Sequence, residues 1–311
     1  MAEQSNVATP IVYIPDNSRK KGSQKKNKRV ANTIIYIVLT IISIIWIFPF
    51  VFIVLESFRV DPACQVPNPF FSMSGKPFVW GFDNYAVLFT DPKYPFGKWY
   101  LNTFIIALFT ALLQTIIVLC MSYTLSRSRF KGRKLLMNAM LVIGMFPGFL
   151  TMLVLYKVLS SIGLSGTNSV PGLILVYVAS SGMGYHVSKG FFDTVPKALD
   201  EAARIDGANR AQVLYKIILP MAKPIVIYTV LTAFMAPWGD FVFASILAKA
   251  DTEGYNVAVG LYKFISSKTT RTTKYTTFCA GGVLVSIPVS ILFMFLQKYY
   301  VEGVTGGAVK G

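Results

Sequence analysis

Glu201-Ala202-Ala203-Arg204-Ile205-Asp206-Gly207, followed nine residues later by Ile217-Ile218-Leu219-Pro220, is a polar, punctuated segment in a chain otherwise built of long apolar runs. It is bounded by one such run at about 170–188 and another at about 222–247. A segment so placed belongs to the water-filled side of a membrane. Ala198, Leu199, Ala202, Ala203 and Ile205 put small and apolar side chains largely on one face of a helix that has Pro196 early in it. Gly207 suits a helix end that requires positive φ. A second short helix, about 209–218, carries Val213, Leu214, Ile217 and Ile218 until Pro220 breaks it. Two short helices around a glycine corner make a knob, and the paired alanines allow close approach to another surface. Glu201 and Asp206 would meet basic groups there. The same spacing also fits an amphipathic linker lying in the headgroups.

Outward from this segment, six runs approach the roughly 20 residues that cross about 30 Å of hydrocarbon. They cover about 32–55, 101–123, 135–157, 170–188, 222–247 and 279–297. With 54% hydrophobic residues, the fold class is all-α, a polytopic membrane protein with six transmembrane helices. The runs are too long for alternating barrel strands. The expected organisation is a basic tail over 1–30, a membrane domain over 31–300 that holds the segment at about 194–220, and a carboxyl-terminal tail over 301–311.

The 30 basic residues fix an orientation. Seven lie between Arg19 and Arg29, five between Arg127 and Lys134, six between Lys189 and Lys223, and two after the last run, against ten in the alternate loops. By the positive-inside rule both termini and the 189–223 segment face the cytoplasm. The net charge of +16 admits nucleic acid as a partner, but the amino-terminal cluster reads as a disordered, topology-setting tail beside anionic membrane lipid. No nucleic-acid partner is expected. The first apolar run begins some thirty residues in, lacks a small-residue cleavage site, and should remain as a span. Of three cysteines, Cys64 falls outside the membrane and Cys120 and Cys279 fall in apolar runs, which is no disulfide framework.

The sequence contains no G-x-x-x-x-G-K-[ST] phosphate loop, no metal-ligand cluster and one histidine, His186, so it is not read as an enzyme and no cofactor or metal is expected on it. His186 admits a proton-relay role, set against interfacial packing. Energy for any transport must come from another chain.

The pattern Glu201-Ala202-Ala203, three residues, Gly207, nine residues, Ile217-x-Leu219-Pro220 resembles the cytoplasmic signature of permease subunits of binding-protein-dependent ABC importers. Gly81-Phe82-Asp83-Asn84-Tyr85 with Leu88-Phe89, and Trp99 with Asn102-Thr103, resemble the segment before and at the start of the second span in carbohydrate-uptake permeases. Trp238-Gly239-Asp240-Phe241 resembles the family's Trp-Asn-Glu-Phe stretch, with Gly239 in place of asparagine and Asp240 in place of glutamate. The carboxyl-terminal run from Tyr300 to Gly311 resembles the tail of the second permease subunit of maltose-type transporters.

The resemblance implies a type I importer permease fold in a prokaryotic plasma membrane, pairing with a second homologous permease subunit and two ATPase subunits that hold the ATP and Mg. It also implies an extracellular sugar-binding protein as partner and an oligosaccharide, maltodextrin-like or galactoside-like, as substrate. On this view Glu201, Ala202, Ala203, Asp206, Gly207, Leu219 and Pro220 couple to the ATPase. Thr305, Gly306, Gly307 and Lys310 lie near the ATPase interface. In maltose-type relatives the loop at 248–278 dips into the binding protein's sugar cleft, which makes Tyr255, Tyr262, Phe264 and the polar run Ser266–Thr273 the candidates here. Aromatic faces equally suit a loop resting on headgroups. From the residues themselves, Asp240 should face the bundle, because lipid exposure of a carboxylate costs about 2.5–3.5 kcal/mol. Gln114, Tyr123, Tyr177 and Trp238 join it as candidate pathway residues, although amide and aromatic groups also pack between helices. A self-sufficient secondary carrier, or a membrane sensor or scaffold that moves no solute, are the other classes. A carrier would predict inverted repeats and paired intramembrane charges, which the six runs do not display clearly.

Overall fold

The computed structural model describes residues 18–60, 79–145 and 148–308. Contacts divide the chain into two units, 1–52 and 53–311. Helix α1 (Ser18–Ser57) makes up the described part of the first unit and ends in the second. Every side chain from Lys28 to Val51 is exposed, and this stretch is rich in isoleucine and aromatic residues. An apolar helix bare on all sides is stable in hydrocarbon or against other apolar helices. The basic stretch Arg19–Arg29, expected as disordered tail, is helical from Ser18 onward. The physical reason is propagation: once the span nucleates the helix, good helix formers such as Lys, Arg and Gln extend it at little cost.

After the end of α1, the second unit continues with the short α2 (Asp83–Thr90) and the long α3 (Phe96–Arg127). Small and hydroxylated residues of α3, among them Thr103, Ala107, Thr110, Ala111 and Ser122, are buried. They let α6 (Ser169–Ala179), α7 (Gly182–Thr194) and α11 (Lys223–Gly239) pack close around it. Between these lie α4 (Arg133–Gly144), α5 (Gly148–Ser161), the short α8 (Ala198–Ile205) and a helical run from Arg210 to Met221. That run consists of α9 (Arg210–Gln212), a π-helix over Val213–Ile218 and α10 (Leu219–Met221). After α11 come α12 (Val242–Ala248), α13 (Val257–Ile265), α14 (Lys268–Thr273) and α15 (Tyr275–Ala308). No strand forms among the described residues, and one isolated antiparallel bridge joins Arg59 and Trp80.

The polytopic all-α architecture is the expected one, but the apolar runs are not all single helices. By length and composition four described helical stretches can cross a membrane, one of them the Gly166–Thr194 stretch that contains a break, and a fifth is added only where Arg210–Met221 and Lys223–Gly239, bent by 88°, count as one span. The run 135–157 is divided into α4 and α5, with Pro147 between them in sequence. The run 170–188 breaks at Ser180-Ser181. Their hydroxyls turn back onto the carbonyls of Tyr177 and Val178, at 3.2 Å each, competing with the helical ladder. The run 222–247 breaks at Asp240, whose backbone is extended.

Pro220 does not break its helix, as was expected of it. The chain stays helical through Met221 and turns at Ala222. In an α-helix the proline ring would clash with a carbonyl four residues earlier. The preceding π-helix widens the turn before the proline and relieves that contact.

Two apolar cores result. One gathers Trp99, Leu173, Trp238, Leu247, Tyr255 and Phe264, and the other gathers Tyr123, Phe192, Ala203, Val213, Ile218 and Ala222.

Candidate functional site

The second core is the underside of the Glu201–Pro220 corner. Helix α8 ends in a full Schellman closure: the Gly207 N–H donates to the Arg204 carbonyl at 3.1 Å and the Ala208 N–H to the Ala203 carbonyl at 2.9 Å. Gly207 has φ +86°, as the sequence required. Asn209 then starts the next helix through a reciprocal capping box with Gln212, at 2.8 and 2.9 Å. The corner is therefore locked by its own backbone.

The expected single apolar face of α8 divides in two. Ala203 is buried and Leu199 half-buried, whereas Ala198, Glu201, Ala202 and Asp206 are exposed and Ile205 is 87% exposed. Asp200 points inward instead: it is 6% exposed, receives the Tyr123 hydroxyl at 3.2 Å, and pairs with Arg127 Nε at 3.2 Å. Arg127 also donates to the Val195 carbonyl at 2.8 Å. Tyr123 thus sits under the corner, at the end of α3. Leu219 is half-buried and Pro220 exposed. Thr305, Gly306 and Gly307 lie in the last turns of α15, and Lys310 lies outside the described residues.

A second feature lies between the broken spans. The Tyr177 hydroxyl donates to Asp240 Oδ2 at 2.5 Å, and Asp240 Oδ1 accepts the Phe243 N–H at 3.0 Å, starting α12. Both residues line a cavity of about 630 Å³, with Met140, Thr151, Tyr185 and Phe243 also on its wall. Gln114 stands apart and donates to Ser181 Oγ at 2.6 Å. Trp238 is 5% exposed, packed edge-on against Tyr100 in the first core. The structure brings together two of the five sequence-predicted pathway residues, Tyr177 and Asp240.

Residues 116–306 match the model of the family described as binding-protein-dependent transport system inner membrane component. The chain belongs to that family. Among similar curated proteins, this permease is 36% identical over 290 residues to the maltodextrin transport system permease protein MalD of Streptococcus pneumoniae, covering 93% of this chain and 99% of the relative. It is 37% identical to the maltodextrin permease protein MdxG of Bacillus subtilis, covering 89% of this chain and 95% of that one. The galactooligosaccharides permease protein GanQ of the same organism is 34% identical, with 89% and 94% covered. The crystal structure of a bacterial ABC transporter that imports alginate contains a chain of the same fold, with TM-score 0.70, 22% identity, and 88% and 98% covered.

On its opposite end, the permease seats the 248–278 loop on α3 through side chains that the resemblance had picked out without a role. Trp99, fully buried, donates its indole N–H to the Thr252 carbonyl at 2.9 Å, and Asn102 donates to the carbonyls of Glu253 and Tyr255 at 3.0 Å each. Thr103 accepts the Val257 N–H at 2.7 Å. Asn84 ties three segments: it donates to the Ser57 and Arg59 carbonyls and accepts from Thr276 at 2.9 Å. These are positioning residues.

The loop's aromatic candidates are corrected accordingly. Tyr255 and Phe264 are 1% and 0% exposed, the first against Trp99 and the second stacked on Tyr94. They fill the loop's own core, which gives them a packing role. Tyr262 remains at the surface, beside Phe241. The exposed polar run forms α14, opened by a Ser267–Thr270 capping box.

Sequence reasoning missed Asn256, which donates to the Pro237 and Asp240 carbonyls at the break in the fifth span. It also missed the Arg127–Asp200 pair. An arginine at the end of an apolar run and a carboxylate beside the Glu-Ala-Ala pattern were the available signals.

Lys274 anchors the end of α14 by pairing with Asp91 at 2.9 Å. That hydrogen bond holds the Asp91 carboxyl below its ordinary value of 3.8. A depressed folded value contributes stability that is present above the ordinary value and lost as pH falls through the lowered one. We therefore expect the protection of amides in 268–274, referenced to intrinsic exchange at each pH, to fall on acidification below about pH 4. Lys274→Met should show the lowered protection already at neutral pH. Unchanged protection across that range would remove the ion pair as an anchor.

Proposed function

We propose that this permease forms half of the translocation pathway of an ATP-driven importer of oligosaccharides, and that the α8 corner docks a separate ATPase subunit. The observation that carries the reading is the corner's two-sidedness. Its inner face is fixed to α3 and to the second core, while Ala198, Glu201, Ala202 and Ile205 form a bare stripe at helical spacing. A rigid knob with a small-residue face and an exposed isoleucine transmits the motion of whatever socket receives it. Glu201 offers the socket a charge partner.

The assembly contains, on this proposal, a second homologous permease, two ATPases holding ATP and Mg, and an extracellular sugar-binding protein. Both termini and the corner face the cytoplasm, in agreement with the basic-residue asymmetry. Permease proteins of maltodextrin and galactooligosaccharide systems are similar across nearly their whole length, which supports a maltodextrin-like or galactoside-like substrate. The alginate importer has been solved with a pentasaccharide-bound periplasmic protein, which supports a binding protein as partner. The Tyr177–Asp240 cavity would lie on this permease's share of the pathway.

The test is Gly207→Val. A side chain there meets nothing within 4 Å, so the substitution acts through the backbone alone. At φ +86° it should disfavour the corner by about 1–2 kcal/mol. The expected result is a permease that inserts normally but loses ATPase co-purification, or whose assembled complex hydrolyses ATP without taking up labelled maltotetraose or galactotriose. Wild-type uptake by this variant would overturn the docking assignment.

A further inference from the structure

At the turn from α3 into α4 the structure holds a cavity of about 610 Å³, lined by Arg129, Phe130, Arg133, Lys134, Met137 and Lys189 among others. Its charge is met only in part from within the chain, by Asp193, which pairs with Lys189 and also attracts Arg133. Lys189 pairs with Asp193 at 2.5 Å, and Asp193 also accepts the Ser126 hydroxyl at 2.6 Å, which occupies that carboxylate. The nearby Asp200 is taken by Arg127 and Tyr123. Arg129, Arg133 and Lys134 form no ion pair among the described residues, and Arg129 and Lys134 are exposed. The segment 127–134 contains five basic residues and no acidic one.

The cavity's other wall is apolar, from Phe130, Leu135 and Met137. It runs on into α4, where Leu135, Val142 and Ile143 are 75%, 59% and 69% exposed. The first turn of α4 begins at Arg133, directly at the cavity, adding the partial positive charge of a helix N-terminus.

We propose that this cavity seats the phosphate-bearing headgroup of an anionic membrane lipid, its acyl chains lying along the exposed side of α4. Guanidinium groups suit phosphate oxygens in bidentate geometry, and basic pockets between spans at a membrane surface are a recognised seat for such headgroups. A soluble phosphate would use the same cations. The lipid is favoured because the cavity is open, half-walled by apolar side chains and continuous with a bare apolar helix face. Phosphatidylglycerol and cardiolipin have the required chemistry.

The inference does not depend on the transport reading and is tested without it. The full chain is reconstituted in phosphatidylcholine nanodiscs containing a minor fraction of fluorescent phosphatidylglycerol. With Cys64 replaced by serine, energy transfer to lipid from a dye on Cys120, which is exposed on α3, reports enrichment around the chain. Wild type should enrich phosphatidylglycerol several-fold over bulk. Arg129→Gln with Arg133→Gln should bring it to the bulk ratio, while Arg129→Lys with Arg133→Lys should retain most of it. Lys131→Gln removes a charge from the same loop but not from the cavity wall, and should leave enrichment unchanged. Equal loss on Lys131→Gln would overturn the site in favour of diffuse surface attraction. Full displacement of the lipid by millimolar inorganic phosphate would reassign it to a soluble anion. Undiminished enrichment in the Arg129/Arg133 glutamine variant, with its helical content unchanged, would overturn it outright.

Discussion

Replacing Asp200 with alanine is expected to release the α8 corner from the membrane helices. Arg127 would remain almost fully buried with the Val195 carbonyl as its acceptor and no carboxylate to balance its charge. Removing one partner of a buried pair costs about 3–5 kcal/mol, because the other charge is left uncompensated. The Tyr123 hydroxyl would lose its acceptor as well. We expect amides of 198–221 to exchange much faster than in wild type while those of α3 and α11 stay protected. On the proposed function, substrate-stimulated ATP hydrolysis would fall to its basal rate. Arg127→Met together with Asp200→Leu removes both charges and fills their volume, so stability should largely return. A double-mutant cycle read by exchange measures the pair directly. Additive single changes would eliminate the ion pair as the link between corner and span.

The second large effect is expected at Gly260 in α13. A Cβ there would lie 2.0 Å from Trp99 Cε3 and 2.3 Å from Cδ2, well inside contact distance. The ring cannot retreat, since it is fully buried and its N–H is held by the Thr252 carbonyl. Overpacking of this kind costs about 1–3 kcal/mol, with valine expected above alanine. Gly260→Ala should lift the 248–278 loop from α3, expose Trp99 and shift its fluorescence to longer wavelength. It should also weaken the response to the binding protein, with ATPase docking at the far corner unaffected. Trp99→Leu placed with Gly260→Ala frees the volume and should restore part of the lost stability. If Gly260→Ala leaves fluorescence and loop exchange as in wild type, the close approach is not what fixes the loop.

How far the sequence could be read depended on whether a feature was local. Gly207 was legible because a positive φ is a demand on one residue, and the helix-length runs were legible because hydrocarbon sets their length. Breaks at Ser180-Ser181 and Asp240 were not, since an average over apolar residues does not register two hydroxyls turning back on carbonyls or a carboxylate starting a new helix. Tyr123 was grouped with pathway residues because it lies in an apolar run, yet its partner is 77 residues away. Tyr255 and Phe264 had the composition of a sugar platform and turned out to be loop core, a distinction that only burial makes. Asn84 and Asn102 were visible as parts of a familiar pattern. Their roles as ties between distant backbone segments had no sequence signature.

The π-helix over Val213–Ile218 does more than accommodate Pro220. Successive residues of an α-helix advance by about 100° around the axis, whereas a wide turn advances by less per residue. The six residues therefore set an angular phase between α11, which is anchored in the bundle, and α8, which carries the exposed stripe. Deleting one of them would let the segment relax to ordinary winding with little loss of length, yet swing Glu201, Ala202 and Ile205 toward a different azimuth. The direction in which this chain presents its knob is thus written in how loosely one turn is wound, not in the knob itself.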